Sequence, residues 1–218
     1  MVITDEHSRK QVCEVTRLIR KFHVSDDEMV RKVEILCKRM GLNLDGVNFD
    51  NLPNVEKDQI LVPVLYSNSL SHTFEKSLNN IELPDGCEIS RKFKSNSLNI
   101  HNSSNIYPDS IHWGILNLTA HCGESALECW EHKIQNGHFA HTELLTFFSI
   151  YTDLVNYWIK NCSSAPSFNC SGFGPIHEGY ASPKVICINF LDNKLVIGSG
   201  YAKTNSINIY NPTVKIIN

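Results

Sequence analysis

Histidine and cysteine crowd into one part of this 218-residue chain. Six of its ten His lie between His112 and His177, and four of its eight Cys between Cys122 and Cys170. Imidazole nitrogen and thiolate sulfur are ligands that zinc prefers, and a thiol beside an imidazole is also a nucleophile with its base. Two groupings follow. His138 and His141 stand three apart, as two ligands on one helical turn can, and Cys162 with Cys170 would complete a structural zinc site. Such an ion would pin a Gly-rich loop to a helix. Cys122, in a turn beside Gly123 and flanked by His112 and His132, has the residue types for covalent catalysis.

A third grouping is His141-Thr142-Glu143, which opens a helix directly after two expected strands. It resembles the H-x-E element of the cytidine-deaminase-like zinc enzymes. The resemblance implies that His141 binds zinc and that Glu143 shuttles protons for the metal-bound water. Cys162 and Cys170 would then supply the other ligands. The match covers about fifty residues, and the superfamily's P-C-x-x-C element is absent from the chain. A helix rising about 1.5 Å per residue carries the chain roughly 30 Å from His141 before Cys162 is reached. Cys162 can return to His141 only if that helix bends or ends early.

The elements that must hold these residues are read from periodicity. Val12, Val15, Leu18, Ile19 and Phe22 recur at helical spacing, with Arg and Lys opposite. Ser25 and Glu28 form a capping box for a second helix that carries Met29, Val33, Leu36 and Met40 and stops at Gly41. The two helices make an antiparallel pair. Ile60 to Tyr66 is a strand in which Pro63 marks an edge or a bulge. Ile111 to Thr119 is a strand, His121-Cys122-Gly123-Glu124 a turn, and residues 126–134 a return strand. A long buried helix follows from Ala140 to Lys160, so that Trp113 or Trp130 shares one core with Phe148 and Trp158. Residues 161–183 read as a loop. Residues 184–190 and 194–200 pair across Asp192-Asn193, and residues 207–210 and 214–217 add short strands. The fold class is α+β: an N-terminal helix pair, a central β-hairpin with a long buried helix, and C-terminal antiparallel strands. Residues 1–105 form a helical and mixed region and 106–218 an α+β core, the two making one compact unit, with the polar stretch 95–105 between them.

Composition narrows the function. A net charge of −3 gives no nucleic-acid signature across the whole chain. No apolar run reaches the roughly 18–20 residues of a membrane helix, and the polar start MVITDEHSRK is unlike a secretory leader. The thiols are therefore expected to stay reduced, in the cytoplasm or nucleus rather than outside the cell. The wealth of Asn, Ser, Ile and Lys points to an AT-rich genome such as a virus or parasite carries. No catalytic signature is complete. The expected function is thus a soluble macromolecule-binding protein, a viral or parasite accessory factor whose partner is a protein. That partner would meet the helix pair or the loop 161–183. The alternative is the zinc-dependent hydrolase built on His141 and Glu143.

Overall fold

A computed structural model describes residues 6–45, 47, 49–50, 52–55, 59–65, 78–83, 85–91, 111–119, 121–125, 129, 138–139, 142–161, 165–173, 184–201 and 209–217. Helix α1 (Glu6–Lys21) buries Val15, Leu18 and Ile19. Its acidic Glu6 lies in the first turn and its basic Arg20 and Lys21 in the last, as the helix dipole favours. Helix α2 (Asp26–Met40) begins where the Ser25 hydroxyl accepts from the Glu28 amide at 3.4 Å. It ends at Gly41, whose φ of 67° suits a residue without a Cβ. Both expected helices are present, with the Ser25 cap and the Gly41 stop of the second.

Among the described residues nine strands make two sheets. The first has the order β1 (Ile60–Leu65), β3 (Ile111–Asn117), β9 (Thr213–Ile217), β4 (His138–Phe139), all antiparallel. Among the described residues Pro63 sits on the edge strand β1, a position where proline is tolerated. Gly114 lies where three strands crowd: a Cβ there would fall 2.7 Å from Val64 Cγ2 and 2.8 Å from Val214 Cγ2. The second sheet has the order β2 (Glu88–Arg91), β7 (Lys194–Tyr201), β6 (Lys184–Leu191), β5 (Ser167–Phe173), β8 (Ile209–Tyr210). Its outer pairs, β2 with β7 and β5 with β8, are parallel. The β6–β7 hairpin turns on Asp192 and Asn193 at φ 50° and 58°, as the sequence predicts.

Three elements differ from the sequence reading. Of the return strand expected over 126–134 only Cys129 is among the described residues, and it is helical, its N–H bonding the Ser125 carbonyl at 3.1 Å. β1 and β9 already occupy both edges of β3, which leaves no edge there for a return strand. Part of the expected loop 161–183 is instead the strand β5, with Phe168 buried. The long helix is divided into α3 (Thr142–Ile150) and α4 (Thr152–Lys160) by Tyr151, at φ −93° and ψ 48°. Lys32 Nζ donates to the Ile150 carbonyl at 2.7 Å and so takes an acceptor that an unbroken helix would use.

The broken helix supplies the centre of the core. α3 packs on β1 and α2, and α4 on β6. Phe148 and Trp158 meet Phe168 and Phe190 at ring-centroid distances of 5.5–6.0 Å. Trp113, Phe148 and Trp158 belong to one buried cluster, as the apolar spacing predicts. Among the described residues no helix is long and apolar enough to cross a membrane. The polar stretch 95–105 lies outside the described residues.

Candidate metal centre

After β3 the chain turns sharply. His121 and Gly123 both take left-handed backbone, at φ 54° and 77°. The turn is tied to the strand that ends at Tyr210. Gly123 N–H donates to the Ile209 carbonyl at 2.9 Å. The buried amide of Asn211 donates to the carbonyls of His121 and Glu124 at 3.2 and 2.9 Å. The bond from Cys129 N–H to the Ser125 carbonyl brings Cys129 back beside Glu124.

Three ligand-type side chains converge there. His121 Nδ1 lies 3.3 Å from Glu124 Oε2, and the Cys129 thiol donates to the same oxygen at 3.4 Å. All three donor atoms lie within 4.8 Å of one another. Ligands on a tetrahedral zinc, with bonds of about 2.0–2.3 Å, stand roughly 3.3–3.6 Å apart. The cluster is therefore close to metal-binding spacing as it stands, and it could hold a metal ion. Without an ion, Glu124 accepts from the Cys129 thiol and lies beside the His121 ring. Cys129 is 1% exposed, while the side chains of His121 and Glu124 are 21% and 28% exposed, so one side of the cluster faces solvent.

The sequence reading singles out other residues. His141 and Cys162 are outside the described residues. The backbone places His138 in β4 and Cys170 in β5, at the bulge between Asn169 and Ser171; their side chains are outside the described set. Glu143 is buried in the first turn of α3. Cys122 is in the turn, as expected, but burial pushes its thiol up, only partly offset by a hydrogen bond with Tyr210. A raised thiol is a poorer nucleophile at neutral pH, which works against covalent catalysis at Cys122. His132 is outside the described residues, and His112 lies on β3. The six described cysteines, Cys13, Cys37, Cys87, Cys122, Cys129 and Cys187, are thiols rather than disulfides.

Sequence reading marks the turn but misses the cluster. On a strand at about 3.3 Å per residue, Cys129 would stand roughly 16 Å beyond Glu124. The helical turn removes that distance. The signal that could have found it is Ser125 ahead of a run of helix formers. No protein-family model, no curated protein and no solved structure matches this chain.

Proposed function

We propose that the protein binds zinc through His121, Glu124 and Cys129, and that the ion fastens the 121–129 segment as a structural element of an interaction protein. The convergence of one imidazole, one carboxylate and one buried thiol on a common point carries this reading. Sulfur in the set disfavours magnesium and calcium, which take oxygen ligands, and suits zinc. Thiolate and carboxylate together balance the charge of a divalent ion, so a water in the fourth position is weakly acidified, which favours a structural role. The same chemistry requires a reducing setting, the cytoplasm or nucleus.

The test is metal content by elemental analysis after purification under reducing conditions. Wild type should hold stoichiometric zinc, and Cys129→Ser and Glu124→Gln should lose most of it. Zinc retained in Cys129→Ser but lost in His141→Ala would move the ion to the start of α3 and restore the hydrolase alternative. Wild type with no zinc would remove both.

A second reading concerns the partner. Arg31, Ile35 and Arg39 recur at four-residue spacing on α2, and Ile35 is 39% exposed. They border a hollow of about 210 Å³ completed by Lys32, Leu36, Asn80, Glu82 and Ser149, in which Glu82 pairs with Arg39. An apolar anchor beside the Arg31 guanidinium fits an acidic amphipathic protein segment, whose carboxylates would displace Glu82 to reach Arg39 as well. A peptide with Glu residues flanking a Leu anchor should bind saturably in fluorescence anisotropy, and Ile35→Asp should abolish that binding. Equal binding by the variant would place the partner elsewhere.

A further inference from the structure

The metal turn is held by more than its ligands. His121 sits in left-handed backbone without the glycine that region favours, so something outside the turn must hold it there. Three hydrogen bonds do this, and all come from the segment 209–211. Two of them use both N–H groups of Asn211, a side chain with no solvent exposure. The two carbonyls they reach belong to two of the three ligand residues.

The direction of the Asn211 amide is fixed from behind. Its Oδ1 accepts from Asn169 Nδ2 at 2.9 Å. Asn169, itself 4% exposed, accepts from the Cys187 thiol at 3.0 Å. Asn169 and Cys187 face each other across β5 and β6. A one-way chain of donors therefore runs from the five-stranded sheet to the turn: Cys187 to Asn169, Asn169 to Asn211, Asn211 to the carbonyls of His121 and Glu124. β8 pairing with β5 anchors the same segment. None of these links needs an ion.

We infer that Asn211 is a positioning residue for the metal site. It preforms the ligand turn in the metal-free chain, so that the ion enters a built site rather than folding one. This inference rests on the zinc reading above. Groups that orient metal ligands without touching the ion typically change affinity by about 10–100-fold when removed. Asn211→Asp keeps the shape and the acceptor for Asn169 but turns a second oxygen toward the two carbonyls. Asn169→Asp leaves Asn211 in place and removes only the donor that orients it.

The experiment measures zinc affinity by competition with a chromophoric chelator, cobalt spectra of the substituted site, and amide exchange at Gly123 in the metal-free proteins. Wild type should bind zinc and show Gly123 protected before metal is added. Asn211→Asp should bind about 10–100-fold more weakly, with altered cobalt ligand-field bands, unchanged stoichiometry at saturation and a faster Gly123 amide. Asn169→Asp, the milder change, should move in the same direction by less, and it serves if Asn211→Asp fails to fold. Wild-type affinity in both variants would overturn the inference and leave the zinc reading standing. So would a Gly123 amide in wild type that becomes protected only on adding zinc. A wild type that binds no zinc would overturn the zinc reading, and the positioning role with it.

Discussion

Cys37 has no exposure, and burial pushes its thiol up to about 11 from an ordinary value near 9. Between those values the folded chain keeps a proton that the unfolded chain has lost, so stability falls as pH rises. Two units correspond to on the order of 3 kcal/mol, kept below pH 9 and lost by about pH 11. Tyr151, pushed up to about 12 by burial and by the charge of Asp26, continues the trend in stronger alkali. Urea midpoints should therefore drop from pH 9 to 11, and Cys37→Ala should flatten that drop. A wild type equally stable across this range would contradict the burial of the thiol. At this scale sequence conveys residue type and little else. His121 and Glu124 are legible as a polar turn, whereas Cys129 becomes a partner only through the helical turn after Ser125. Asn211 reads as an ordinary residue before Pro212, because the carbonyls it serves lie about 90 positions earlier.

Elements whose signals are local were legible. Helices α1 and α2 declare themselves by apolar period, Ser25 and Gly41, and the β6–β7 turn by Asp192-Asn193. The break at Tyr151 is not local. The apolar spacing runs through it, and the donor that takes the Ile150 carbonyl is a lysine 118 residues away. Lys32, half-buried and also 3.1 Å from Glu28, satisfies a helix carbonyl. Lys32→Met should leave the Ile150 carbonyl without that donor and cost about 1–3 kcal/mol in urea unfolding, since buried unsatisfied acceptors cost that much. A loss within about 0.5 kcal/mol would mean that α3 and α4 part for another reason.

The whole molecule is α+β, and its class follows from the mix of periods. Its sheet order does not. β3 takes its neighbours from early in the chain and from its last strand, and β2 joins the second sheet in parallel with β7. Such long-range pairings leave no mark in any short window, which is why a neighbouring hairpin was the natural expectation for β3. The same topology brings residues 209–211 beneath the turn after β3 and so builds the cluster of His121, Glu124 and Cys129. Zinc-edge X-ray absorption of the purified protein addresses that cluster most directly. The account predicts stoichiometric zinc with a sulfur scatterer at about 2.3 Å, nitrogen and oxygen at about 2.0–2.2 Å, and loss of the sulfur shell in Cys129→Ser. A zinc-free protein, or a shell without sulfur, would contradict it.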